Sequence, residues 1–181
     1  MGKRISIGML SIVGALSLRL LGLPAGAAAA VKSDTTLHLV ATQAEHLLGG
    51  VTSGDLKTEF SRRGMQCDGP RKQATRVAWS CSSTEGSTIY RVEFLGKSPT
   101  RIDYVTGTVV QLTPNLQQAL QFLAFVASVP YSGGDPTAAQ AWVRKQGVRD
   151  GERVIGTVIL RRSGPSRALS LSLIPVGSDW Q

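Results

Sequence analysis

The residues of this chain whose types and spacing could do chemistry are few: Cys67 and Cys81, His38 and His46, Ser132 between turn residues, and the carboxylates Glu93 and Asp103. The two cysteines are separated by a run of basic and turn-forming residues, Asp68-Gly69-Pro70-Arg71-Lys72-Gln73-Ala74-Thr75-Arg76 among them. Redox chemistry of the Cys-x-x-Cys kind is excluded by that spacing. A metal centre is not expected either, because zinc takes about four ligands and the only histidines sit in one helical stretch far from the cysteines. An even pair of cysteines in an oxidising compartment is instead read as a disulfide. A turn at Gly69-Pro70 would set Cys67 opposite residues near Ala74. A Cys67–Cys81 bridge therefore calls for a long loop over roughly Asp68–Arg76, or for Cys67 arriving on a strand by another route.

Ser132 lies in Tyr131-Ser132-Gly133-Gly134-Asp135. A nucleophilic serine needs a base within hydrogen-bond reach, and nothing in the sequence brings His38 or His46 to it. The glycines read more simply as a helix–helix loop that requires their backbone freedom. Glu93 and Asp103 fall on neighbouring predicted strands, where ion pairs with Arg91 or Arg101 are the ordinary use of such residues. Gly-x-Ser-x-Gly, His-Glu-x-x-His and phosphate-binding glycine loops are all missing from the sequence. No catalytic residue, metal or cofactor is expected, and the pattern points away from an enzyme.

The elements that would position these residues begin after a leader. Lys3-Arg4 precedes an apolar run, Ile5 to Leu18, and the segment closes on Pro24 and a string of small residues ending at Ala30. Ala28 and Ala30 satisfy the small-residue rule of a cleavage site, so residues 1–30 read as a signal peptide and 31–181 as a single α+β domain. The apolar run stops at Arg19, short of the roughly 20 residues a membrane span needs. A retained anchor is the competing reading, and the membrane is otherwise met only transiently through this leader. Removing Lys3, Arg4 and Arg19 from 20 basic residues leaves 17 against 12 acidic, a net of +5. That charge favours anionic partners but is modest for a nucleic-acid binder, and export argues further against nucleic acid. Arginine outnumbers lysine and alanine and glycine abound, the composition of a GC-rich bacterial gene.

Hydrophobic periodicity gives the rest. A helix is predicted over Thr35–Leu48, with Leu37, Val40, Ala41 and Ala44 on one face, ended by Gly49-Gly50. Thr52 to Asp55 reads as a capped start, with Leu56 and Phe60 one turn apart and Gly64 at the end. After Met65 the period becomes two. A hairpin turn at Glu85-Gly86 would pair Cys81 with Tyr90, Trp79 with Val92 and Val77 with Phe94. A second turn around Lys97-Ser98-Pro99 would set Phe94 against Ile102, Val92 against Tyr104 and Tyr90 against Thr106. Pro114 opens a buried helix, Leu116–Val129. Asp135-Pro136 caps another that Gly147 ends. Strands Arg153–Arg162 and Ser166–Val176 would pair Leu160 with Leu169 and Val158 with Leu171. The predicted fold is thus α+β: an antiparallel sheet of about five to six strands with helices packed on one face, in the order α-α-β-β-β-β-α-α-β-β. The stretches Asp55–Gly64 and Thr137–Gly147 look like counterparts, which suggests a distant internal duplication.

The basic residues fall into three groups. Arg62 and Arg63 suit the C-terminal end of a helix, and Arg161, Arg162 and Arg167 flank the last turn. Arg71, Lys72 and Arg76 lie between the cysteines, where a disulfide would hold a cationic loop in place at low ordering cost. The expected function is therefore that of an exported, secreted or envelope-associated bacterial protein of non-enzymatic binding type. Its contact is the stapled loop, and its partner an acidic protein or an anionic envelope component. Two other readings stay open: a small secreted hydrolase or ligand-binding enzyme using a groove under the 116–129 helix, and a structural module of an envelope complex.

Overall fold

Thr52 caps the first helix observed, α1 (Ser53–Arg62), and does so reciprocally: its hydroxyl accepts from the Asp55 amide at 3.1 Å while the Asp55 carboxylate accepts from the Thr52 amide at 3.3 Å. In the computed structural model, which describes residues 47–111, 115–165 and 167–180, this helix is followed by four antiparallel strands. They are β1 (Gln66–Gln73), β2 (Arg76–Glu85), β3 (Thr88–Ser98) and β4 (Arg101–Gln111). Helices α2 (Leu116–Ala127) and α3 (Pro136–Gln146) come next, then β5 (Gly151–Ile155), β6 (Val158–Ser163) and β7 (Ala168–Pro175). The seven strands make one antiparallel sheet in the order β1-β2-β3-β4-β7-β6-β5. The leader and the expected helix up to His46 lie outside the described residues; Leu47 and Leu48 are not helical.

The class is as expected, an α+β fold on an antiparallel sheet, but the strand count and order are corrected. Among the described residues seven strands stand where about five to six were expected. The four strands before α2 match the expected order, the first longer than expected because the stretch between the cysteines is extended chain rather than a loop. The stretch Arg153–Arg162 is a hairpin rather than one strand, because Gly156 takes a positive φ of 61° and reverses the chain between Ile155 and Val158. A side chain on Gly156 would also overlap the Gly133 carbonyl oxygen.

One face of the sheet carries the core. Trp79, Cys81, Val92, Phe94, Val105, Val109, Leu160, Leu169, Leu171 and Leu173 are all buried there beneath the helices. α1 covers β1 and β2, α2 covers β4 and β7, and α3 covers β5 and β6. Close contact between α2 and β4 depends on Gly107, where a β-carbon would stand 2.7 Å from a methyl of Val126. α2 buries Ala119, Leu123, Ala124, Val126 and Ala127, while Phe122 and Phe125 stay half-buried, Phe125 edge-on to Phe60 of α1 at 5.4 Å and Phe122 against Tyr90 of β3 at 5.1 Å. None of the helices among the described residues is long and apolar enough to cross a membrane.

Register departs from expectation in an instructive way. Cys81 pairs with Val92 and Trp79 with Phe94, because the β2–β3 turn is Gly86-Ser87, one step beyond the expected Glu85-Gly86. The shift is even in the index sum, so every side chain keeps its face. In β6–β7, Leu160 pairs with Leu173 rather than Leu169, again an even shift. β3–β4 is different. Phe94 pairs with Val105, Val92 with Gly107 and Tyr90 with Val109, and the ladder is irregular between Leu95 and Gly96. Leu95 opposes Tyr104 and Gly96 opposes Ile102, which leaves Asp103 as an extra residue in β4. This bulge keeps Ile102 in the core but turns Tyr104 and Thr106, expected on the core face, to the outer one. There Tyr104 meets Trp180 in a stack at 4.7 Å and its hydroxyl pairs with Ser172 at 2.9 Å.

The devices that start and stop the helices occur twice at equal spacing. Gly50 and Gly133 take φ of 78° and 75°, Thr52 and Asp135 are N-caps, and Gly64 and Gly147 take φ of 79° and 62° after α1 and α3.

Candidate functional site: the stapled hairpin

The cysteine stretch is a β-hairpin with a covalent rung. Cys67 lies directly opposite Cys81 in the β1–β2 ladder, and the two form a disulfide with Cα atoms 4.0 Å apart. The long loop over Asp68–Arg76 is thereby corrected. The chain reverses at Ala74-Thr75, where Ala74 takes a positive φ of 48°, and not at Gly69-Pro70. Gly69-Pro70 is instead a bulge within β1: its peptide is cis, and the register shifts between Asp68 and Arg71. Gly69 has φ of 106°, and a β-carbon there would stand 2.9 Å from the Ala78 carbonyl oxygen, so only glycine fits.

The bridge is a structural tie between strand, core and helix. Cys81 is fully buried, and Cys67 is half-buried beneath α1. Its sulfur lies 3.6 Å from the Ser61 hydroxyl and 3.7 Å from the Lys57 carbonyl oxygen. No free cysteine remains among the described residues.

The three cations expected to act together are separated. Arg71 and Lys72 occupy neighbouring positions of β1, so their side chains leave opposite faces of the hairpin, and both are exposed. Arg71 lies 3.7 Å from the equally exposed Asp68, a pair that solvent screens to little value. Arg76 is held elsewhere. Its guanidinium Nε donates to the buried Asp103 carboxylate at 2.9 Å, and the same group lies over the Trp180 ring at 4.5 Å. Arg76 thus crosses β3 on the outer face and is bound into the fold. On that outer face a depression of about 60 Å³ is lined by Arg71, Ser80, Arg91, Glu93 and Leu95.

Glu93 and Asp103 do not form a carboxylate pair. Glu93 lies 3.3 Å from Arg91 on its own strand, and Asp103 belongs to Arg76. Sequence reasoning missed the second pair because Arg76 is expected at the end of a loop and in fact opens β2, on the same outer face as Asp103.

No family model, curated protein or solved structure matches this chain.

The other candidates are placed as follows. Ser132 lies in the loop between α2 and α3, its amide donating to the Gly49 carbonyl at 2.7 Å and its carbonyl accepting from the Thr157 hydroxyl at 3.0 Å. The nearby Asp135 carboxylate caps α3 through the Ala138 amide at 2.9 Å. The described residues lining the cavity at Ser132 are Leu47, Gly49, Val154, Gly156, Thr157, Pro175 and Val176, with no titratable group among them. His38 and His46 are outside the described residues. Among the described residues no cluster of three or more metal-ligating side chains occurs.

The groove beside α2 is real in shape. About 510 Å³ opens between α1 and the C-terminal end of α2, over Leu56, Phe60, Phe125 and Val129. Its polar rim is already engaged: Asp55 in the α1 cap, Glu59 with Arg62 at 3.6 Å and with Arg63 at 3.8 Å. The Arg63 guanidinium in turn lies 3.4 Å over the Phe125 ring.

Arg162, one of the cations flanking the last turn, is buried on the core face of β6, with Nη1 donating to the carbonyls of Ser163 and Ser170 at 2.7 and 2.9 Å. Burial lowers its pKa, a shift that the nearby Asp150 opposes. Tyr131 is buried too, its hydroxyl donating to the Ile155 carbonyl at 3.1 Å, and burial followed by the charge of Asp135 raises its pKa.

Proposed function

We propose that this chain is an exported, non-enzymatic bacterial binding module of the extracytoplasmic or envelope space, and that its contact is the tip of the β1–β2 hairpin. The observation that carries this reading is the Cys67–Cys81 rung, which fixes a hairpin whose exposed side chains include Arg71 and Lys72. A preordered cationic tip loses little conformational freedom when it binds. The disulfide also supports an oxidising compartment, in keeping with the leader at residues 1–30. The partner is an acidic protein or an anionic envelope component. The repeated Gly50–Gly64 and Gly133–Gly147 devices support a further reading, that the two halves descend from one duplicated helix–meander unit.

The test uses the full chain and two probes, polyglutamate and vesicles with an anionic headgroup. Binding to one of them should weaken as salt rises, and Arg71→Ser with Lys72→Ser should lower the affinity and flatten the salt dependence. Equal binding by the double variant refutes the hairpin as contact. Export is checked separately by the mass of the secreted protein, expected to begin at Val31; a chain still beginning at Met1 refutes the cleaved leader.

A further inference from the structure

Among the described residues the sheet ends in two edge strands that are built differently. β1 is guarded: a bulge interrupts it, Pro70 offers no amide proton, and Asp68, Arg71 and Lys72 charge it. β5 has neither proline nor bulge. The two-residue turn at Gly156-Thr157 makes Ile155 and Val158 a hydrogen-bonded pair, and antiparallel alternation makes Arg153 and Leu160 the next one. The amide and carbonyl groups of Glu152 and Val154 therefore point away from β6, toward the open edge.

We infer that the β5 edge is a strand-addition site for an extended segment of a partner protein that alternates apolar and acidic residues. It is independent of the hairpin contact proposed above. Three observations argue for it. Val154, Ile159 and Ile174 form one cross-strand row on the outer face, from the sheet interior to the edge. Ile174 is buried, whereas Val154 at the end of the row is 59% exposed, the most of any large apolar residue described. An added strand would continue that row and cover Val154. A cavity of about 550 Å³ beside Val154, walled by Leu47, Pro175 and Val176, offers room for a further apolar side chain. On the opposite face of β5, Arg153 is exposed and has no ion pair among the described residues, while its neighbour Glu152 is already paired with Arg161. A partner strand would meet an uncompensated cation at Arg153 and an uncovered valine at Val154. That calls for an acid and an apolar residue at alternate positions.

A second copy of this chain does not fit the edge. Residues directly opposite in a two-fold antiparallel pair share a face, so the available registers set Arg153 against Arg153, Glu152 against Glu152, or Val154 against Val154. The first two oppose like charges. The third overlaps only 153–155 and sets Arg153 against Ile155.

The test is the fluorescence anisotropy of a labelled, end-blocked peptide alternating valine and glutamate, titrated with the full chain. Saturable binding is expected. It should fall by about tenfold or more, the equivalent of one or two lost hydrogen bonds, in Val154→Pro, which removes an outward amide and no bond to β6. The same loss is expected when the peptide itself carries N-methyl groups on the edge that faces β5, a block that leaves the protein untouched. A peptide with lysine for glutamate should bind at least about tenfold more weakly. Arg71→Ser with Lys72→Ser should leave this binding unchanged. Three results overturn the inference: no saturable binding, equal affinity for the N-methylated peptide, or a concentration-dependent dimer in sedimentation that Val154→Pro abolishes, which would give the edge to a second copy.

Discussion

Replacing both cysteines, Cys67→Ala with Cys81→Ala, tests whether the bridge carries the stability of the hairpin. The bonded residues are 14 positions apart. In the chain-entropy description, opening a loop of that size returns roughly 3 kcal/mol of freedom to the unfolded chain. Cys81 is fully buried against the core, so its truncation adds a small packing loss, while half-buried Cys67 adds less. With a urea slope of about 2 kcal/mol/M, a loss of ~3 kcal/mol lowers the unfolding midpoint by roughly 1.5 M. The assay is urea unfolding of the oxidised chain, the reduced chain and the double variant side by side. Reduction should reproduce most of the shift, and the remaining difference measures the cavity. Native-state hydrogen exchange adds a local readout: β1, an edge strand tied to β2 and touched by α1 at Cys67, should lose protection before β3 and β4. A shift worth less than about 0.5 kcal/mol, or unchanged exchange in β1, would refute the idea that the rung orders the hairpin. Two free thiols in the denatured, unreduced protein would remove its premise.

Two further outcomes follow from particular side chains. Arg76→Ser should cost about 2 kcal/mol in thermal or urea unfolding, because it leaves the buried Asp103 carboxylate unpaired and strips the cation from the Trp180 ring, whereas Arg71→Ser should stay within about 0.5 kcal/mol; equal effects would contradict the division between a structural and a free cation. Tyr131 is held neutral in the fold, with a phenol raised above its ordinary value of 10.0 by burial and by Asp135. Its contribution is therefore complete below the unfolded value and lost as pH rises toward the folded one. Tyr131→Phe should lower stability at neutral pH by about 1 kcal/mol for the lost bond to Ile155 and flatten the decline above pH 10, read by urea unfolding across pH. A variant as steep as the parent in that range would refute the assignment.

Much of the fold was legible in the sequence because period and punctuation are local. Thr52 and Asp135 were readable as caps, Gly64 and Gly147 as stops, and the alternation of Trp79, Cys81, Val92 and Phe94 as a core face. Even the misplaced turn at Gly86 did no harm there, since an even shift preserves sidedness. What could not be read was anything that changes phase inside a run of suitable residues. Val154 to Val158 is apolar enough to pass as one strand, and only the backbone demand at Gly156 makes it a turn. Ile102, Tyr104 and Thr106 alternate as well as Val105, Gly107 and Val109 do, and periodicity alone cannot choose between them.

The candidate site turns on that same ambiguity. The bulge at Asp103 turns Tyr104 onto the outer face beside the Asp103 carboxylate, where Trp180 and Arg76 close over them. Arg76 is consequently withdrawn from the cations between the cysteines, although in sequence it stands only a few residues from Arg71 and Lys72. A charge between two cysteines reads as a binding residue when the intervening chain is taken for a loop. Once the chain is a hairpin, its register decides which charges face the sheet. Arg76 is opposite Gln73 at the closed end of the ladder, directed across β3 toward β4. The binding reading therefore rests on Arg71 and Lys72, on opposite faces of the hairpin, and a partner must engage the tip or one face of it and not a flat basic patch.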